Sequence, residues 1–162
     1  MAMPRSFLDT LLDGPFELRS RPEPLPGDLR LAWGIALAIL ILGRSRGKRA
    51  SLQKLHFMAY SARTKATRAE TMRVFTGAVS PGDLVVRVEP WLNRAVTFAT
   101  AGGLIVSEHG KSFKLTDEGI KVLERISSAE HVMAEEKAFL NAVSARATEG
   151  SIDRVMRMER LL

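Results

Sequence analysis

Apolar positions along the chain gather first into one dense run, Leu31 to Gly43 (LAWGIALAILILG), with no charge inside it. Arg30 precedes the run, and Arg44, Arg46, Lys48 and Arg49 follow it. At a rise of ~1.5 Å per residue it makes a helix of about 20 Å, short of the ~30 Å hydrocarbon core of a bilayer. The pattern predicts a helix over 28–43 that is buried on most faces, with Asp28 as N-cap and Gly43 at its end.

Beyond the basic stretch the spacing stays helical. Ser51 caps a helix over 52–63 with Leu52, Leu55, Ala59 and Ala62 on its inner stripe; Phe57, Met58 and Tyr60 lie off that stripe, so a second face is covered too. Thr67 and Glu70 have the capping-box spacing and open a third helix running to Gly77. Ser80-Pro81-Gly82-Asp83 reads as a turn and Leu84 to Val88 as a short extended strand. Glu89-Pro90 starts a helix over 91–101, because proline at the first helical position forfeits only a hydrogen bond the helix cannot make. Gly102-Gly103 end it. Leu104-Ile105-Val106 and Phe113-Lys114-Leu115 then flank a polar tip containing Gly110, which is the pattern of a β-hairpin. Thr116 caps a helix over 117–126, and two amphipathic helices follow, over 129–147 (Val132, Phe139, Leu140, Val143) and 152–162 (Ile152, Val155, Met156, Leu162). No internal repeat is visible.

Ahead of these elements, residues 1–28 hold Pro4, Pro15, Pro22, Pro24 and Pro26, five of the seven prolines. Phe7 to Leu12 is a short amphipathic piece, and Arg19 to Asp28 reads as an extended, polyproline-like arm. The chain thus divides into an N-terminal arm (1–28), a body (29–127) and a C-terminal helical extension (128–162).

Composition narrows the classes. With 162 residues, 46% of them apolar and 26% charged, the chain has the make-up of one globular domain with appended helices. It has no cysteine, which excludes disulfides, thiolate metal sites and cysteine nucleophiles and suits a reducing, cytoplasmic compartment; no export signal is visible. At 6% aromatic content a stacking platform for single-stranded nucleic acid is not expected.

Charge changes the picture more. The total is +6, yet Arg44 to Arg73 alone carries nine cations (Arg44, Arg46, Lys48, Arg49, Lys54, Arg63, Lys65, Arg68, Arg73) against Glu70, so everything else sums to −2. A basic block on a neutral body attracts a polyanion or an acidic protein surface. A solvated helix face with a basic loop has the same composition, and the pattern alone leaves these readings open.

The element order, with a glycine-ended helix, a hairpin and Leu115-Thr116-Asp117-Glu118-Gly119 at its exit, predicts a mainly α fold. Specifically it is expected to be a winged helix-turn-helix with a small β-hairpin wing, an N-terminal extended arm and extra C-terminal helices. The string Phe113-x-Leu115-Thr116-x-x-Gly119 resembles the wing-to-last-helix junction of many bacterial winged-helix proteins. A closer resemblance is carried by the apolar first helix, by Arg49-Ala50-Ser51-Leu52-Gln53-Lys54-Leu55-His56-Phe57, and by Val86-Arg87-Val88-Glu89-Pro90-Trp91-Leu92-Asn93-Arg94-Ala95-Val96-Thr97-Phe98-Ala99. Over residues 30–126 the chain resembles the small middle component of bacterial three-component ABC-ATPase systems. The resemblance implies a winged-helix adaptor that works with a large ATPase subunit of the SMC or Rad50 type and a separate effector subunit, in defence against phage or plasmids.

Chemistry by the chain itself is not expected. Gly110-Lys111-Ser112 mimics the end of a phosphate-binding loop, but Ile105 stands where that loop needs glycine, and the tripeptide sits in a hairpin tip. His56, His109 and His131 fall on separate elements without ligand spacing, so no metal site and no cofactor are expected. No Gly-x-Ser-x-Gly elbow occurs, and Glu135-Glu136 point different ways on one helix.

The candidate contacts are therefore to nucleic acid. On helix 91–101 the outward Asn93, Arg94, Thr97 and Thr100 are the base-reading candidates, Arg94 suiting guanine and Asn93 adenine, while Trp91 and Phe98 are read as core. The wing offers His109, Lys111 and Lys114 for phosphates. Arg44, Arg46, Lys48, Arg49, Lys54, Arg63, Lys65 and Arg68 would track a backbone without reading bases. Two functions remain open: the adaptor subunit, with sequence-independent DNA contact, and a homodimeric winged-helix transcription regulator with helix 152–162 as its dimer arm. A single cation on the base-reading helix favours the adaptor.

Overall fold

The computed structural model describes residues 27–159 apart from Val85 and Arg87, with side chains placed from Arg30 to Arg157. The proline-rich arm, the side chain of Asp28 and Leu162 lie outside that range. The architecture is mainly α, with a small antiparallel sheet of three strands.

The apolar run forms helix α1, Gly27–Arg44. It extends one residue past Gly43, and Leu37 to Leu42 are all at most 2% exposed. No helix among the described residues is long and apolar enough to cross a membrane. A 3-10 turn, Arg46–Lys48, leads into strand β1, Arg49–Ser51, and helix α2, Leu52–Ala62. Ser51 caps α2 by accepting from the Lys54 amide at 3.0 Å. Leu55, Ala59 and Ala62 are buried as the stripe requires, and so are Phe57 and Met58; Leu52, expected inside, is 38% exposed because it starts the helix on its open side.

Helix α3 spans Lys65–Phe75, and its cap differs from the expected one. Thr64, not Thr67, is the N-cap: its hydroxyl accepts from the Thr67 amide and the Thr67 hydroxyl accepts from the Thr64 amide, both at 3.1 Å. Thr67 thus takes the N3 place that Glu or Gln fills in the usual capping box. A 3-10 turn over Pro81–Asp83 follows. The described residues of Leu84 to Val88 join no strand; Leu84 and Val86 are buried in the core while Val88 is 64% exposed.

Helix α4, Pro90–Ala101, begins on its proline as expected. Strands β2 (Ile105–Glu108) and β3 (Ser112–Leu115) form the hairpin, with the backbone of His109 and Gly110 left-handed at its tip. The third strand of the sheet is β1, which adds to the outer side of β3 with Arg49 opposite Lys114 and Ala50 opposite Phe113, giving the order β1-β3-β2. Strand alternation turns Ala50, Ile105 and Leu115 into the core and leaves Arg49, Val106 and Lys114 outside.

Thr116 caps helix α5 (Asp117–Ser128) by accepting from the Gly119 amide at 3.1 Å. The chain then turns through Ala129–Met133, so helix α6 covers only Ala134–Val143, shorter than expected, and Val132 is exposed. Lys137 closes that turn by donating to the carbonyls of Ile126 and Ala129, at 3.2 and 2.6 Å. Helix α7, Glu149–Glu159, packs on α2 and on the Pro81–Asp83 turn. Phe139, Leu140, Val143, Ala147, Ile152 and Val155 join the same core cluster as α1. The C-terminal helices are a wall of the body: Ile152 and Val155 are buried in its core and Met156 packs against it.

Two glycines bring neighbouring elements close together. A Cβ on Gly34 would lie 3.1 Å from both Ala95 Cβ and Trp91 Cε3, so Gly34 lets α1 and α4 come together. A Cβ on Gly119 would collide with the carbonyl oxygen of Leu104, which also accepts from the Thr116 amide at 3.1 Å. The hairpin and α5 therefore meet backbone to backbone. Gly119→Ala is expected to cost about 2–4 kcal/mol, since backbone rather than a flexible side chain must give way; urea unfolding of the two proteins measures it.

Candidate nucleic-acid interface

The start of α4 is tied to α2 by one polar cluster. Glu89, buried at 6% exposure, accepts from Arg63 Nη1 at 2.8 Å and from Trp91 Nε1 at 2.7 Å. Its backbone N–H donates to His56 Nδ1 at 3.3 Å, which makes the ring the Nε2–H tautomer, and Nε2 donates to Asn93 Oδ1 at 3.0 Å. The one mark of this cluster in the sequence is a carboxylate directly before the helix-starting proline, between apolar Val88 and Trp91.

The cluster alters the base-reading candidates. Asn93 is exposed, but the oxygen that would pair with adenine N6 already accepts from His56. Thr97 and Thr100 donate back to the helix carbonyls of Asn93 and Val96, at 2.9 and 2.8 Å. Arg94 is exposed and makes no ion pair among the described residues. Phe98, expected in the core, is 52% exposed, since the inward stripe of α4 is taken by Leu92, Ala95, Val96 and Ala99. Trp91 is half-buried against Trp33, with ring centroids 5.2 Å apart and planes at 51°.

The basic block separates into three kinds of residue. Arg63 and Arg68 are spent on internal pairs. Arg63 bridges to Glu89 and lies over the Tyr60 ring at 5.6 Å, while Arg68 pairs with Glu135 and donates to the Ala62 carbonyl at 2.9 Å. Lys48, Lys65 and Arg73 are exposed and are not among the residues that line the cleft below.

The third kind converges. Arg44, Arg46, Arg49, Lys54 and Lys114 line one cleft of about 730 Å³, whose far wall is Ser144 and Ala147–Gly150. Glu108 lies between Arg49 and Lys114, 3.3 and 3.9 Å from them. Glu149 accepts from the Ser51 amide at 3.0 Å and the Ser51 hydroxyl at 2.7 Å. Lys111 stands in the hairpin tip on an adjoining shallower hollow, and Asn93 and Arg94 lie outside both. His109 and His131 are exposed on separate turns, and among the described residues no group of three His, Asp or Glu is placed to hold a metal.

Lys54 is the exception within the block. It sits on the inward side of α2 at 7% exposure, and burial pushes its ammonium below the usual lysine pKa of 10.5, with Glu149 partly opposing the shift. Between the lowered folded value and 10.5 the unfolded chain binds the extra proton, so stability rises with pH there and the penalty is complete below the folded value. Lys54→Met is expected to raise the Tm at neutral pH, by a margin that closes as pH approaches 10.5; calorimetry of both proteins across that range tests this. Arg63→Ala, which strips the buried Glu89 of a charged partner, is expected to cost about 1–3 kcal/mol in urea unfolding. Compared with protein-family models, curated proteins and solved structures, the chain finds no match.

Proposed function

We propose that this chain is a non-catalytic winged-helix adaptor subunit of a cytoplasmic, SMC-like ATPase complex with a separate effector subunit, acting in bacterial defence against phage or plasmids and touching DNA through its backbone rather than its bases. The fold half of the reading is supported by the order α1, β1, α2, α3, α4, β2, β3 and by β1 pairing with the return strand of the hairpin. With that pairing the short strand precedes α2 instead of α4, and α3 becomes an added helix ahead of the base-reading position. The partner half rests on the resemblance of residues 30–126.

The observation that carries the adaptor over a base reader is the outward face of α4. That face has Arg94 as its one cation, Asn93 held by His56, two threonines bonded to their own helix, and a half-exposed Phe98. A helix that reads operators presents free donors and acceptors there. An exposed phenyl ring suits a protein surface better than a major groove. Cations instead collect at the α1–β1 turn and on β3, where they meet phosphates without sampling base edges.

Co-expression of the tagged chain with its flanking genes tests the proposal. A large ATPase subunit retained at stoichiometric level in high salt is the expected result. A clean homodimer without that subunit, binding one operator sequence in a way that Arg94→Ala abolishes, would replace the adaptor with the regulator.

A further inference from the structure

The cleft beside the hairpin has features that a merely basic surface lacks. Its lining includes five cations and two acids, a balance of +3. Both acids are already engaged, Glu108 by Arg49 and Lys114 and Glu149 by Ser51. Arg44 and Arg46 stand exposed at the rim and make no ion pair among the described residues. Lys54 is different again: nine-tenths buried, opening into the cleft, and among the described residues its ammonium has no hydrogen bond or ion pair, only the longer-range field of Glu149. Behind it Ile41, Met58, Leu140 and Ala147 make a mostly apolar floor beside Ser45 and Ser144, whose hydroxyls donate to the carbonyls of Ile41 and Asn141. A buried charge that its one counter-charge only partly offsets is a standing cost, and an anion entering the cleft reduces it.

The wall opposite the cations adds to this. Thr148 accepts from the Ser151 amide at 3.1 Å and so caps α7, whose first residues, Glu149 and Gly150, line the cleft. Their amides have no acceptor within the helix, and the positive end of the α7 dipole lies on the same side. A Cβ on Gly150 would meet nothing within 4 Å, so the backbone there is open to a ligand.

We propose that this cleft is a phosphoryl-binding site in which Lys54 meets the anion from the floor, Arg44 and Arg46 from the rim, and the first turn of α7 from the facing wall. The proposal deepens the phosphate contact that the adaptor reading gives to these same cations, and its test reads anion binding directly, whether or not an ATPase partner is retained. The ligand chemistry is a phosphate with at least two negative charges. It comes either from a nucleotide-sized molecule, which a cleft of about 730 Å³ accommodates, or from the backbone of a nucleic acid seated across the rim.

Titration calorimetry with inorganic tripolyphosphate on the full chain is the test. One saturable site per chain is expected, weakened about tenfold or more by Lys54→Met and by Arg46→Ala, and unchanged by Lys65→Met, which alters an exposed lysine outside the cleft. Arg46 is exposed, so its variant gives a second readout that does not touch the buried floor. ATP displacing the probe while duplex DNA does not assigns the phosphoryl group to a nucleotide; duplex DNA displacing it, with its own binding lost in Lys54→Met, assigns it to a nucleic-acid backbone. The proposal is overturned if wild-type protein shows no saturable site, if Lys54→Met binds as tightly as wild type, or if Lys65→Met weakens binding as much.

Discussion

Leu37 through Leu42 are six consecutive residues with almost no exposed surface, so α1 has no solvent side over that span. Every direction around it must be closed by something else. α4 closes one through Gly34, α5 another through Leu123, which lies against Gly43, and α2, α6 and the sheet close the rest. Each fully buried Leu or Ile is worth about 2 kcal/mol, so leaving any wall off would expose several such contributions at once. This is the physical reason that Phe139, Leu140 and Val143 belong to the body: without α6 one side of α1 would face water.

That same burial explains which parts of the fold were legible beforehand. Ser51 and Thr116, Pro90, and the glycines around the hairpin act locally, through one hydrogen bond or one backbone angle, and their signals survive in a short string of residues. The sheet was not legible in that way. Leu84 to Val88 has the β-branched composition of a strand but is used for core filling, whereas Arg49–Ser51 forms the strand because β3 offers it an open edge. Pairing partners sixty-odd residues apart leave no mark on a three-residue basic segment. Thr67 misled for a related reason: a buried threonine can do the work of a glutamate at N3 when Thr64 completes the exchange.

The candidate site was half legible. The concentration of cations between Arg44 and Arg73 was plain, but charge counting treats all of them as surface. The fold spends Arg63 and Arg68 on holding α2, α4 and α6 together, and it buries Lys54. Lys114, distant in sequence, completes the cleft because β3 lies between β1 and β2. Asn93 shows the converse: a residue type suited to base reading is used to anchor the helix that carries it.

The chain has two tryptophans, and the fold puts both at the same place, Trp33 on α1 and Trp91 on α4, 5.2 Å apart. Their indole N–H groups end on carboxylates from different parts of the molecule, Glu136 on α6 and Glu89 ahead of α4. Intrinsic tryptophan emission is therefore a local gauge of the α1–α4 seam, with no contribution from the basic cleft. A change in that emission when something binds at the cleft would mean that the central helix itself has moved, and an unchanged spectrum would mean that the walls were already in place.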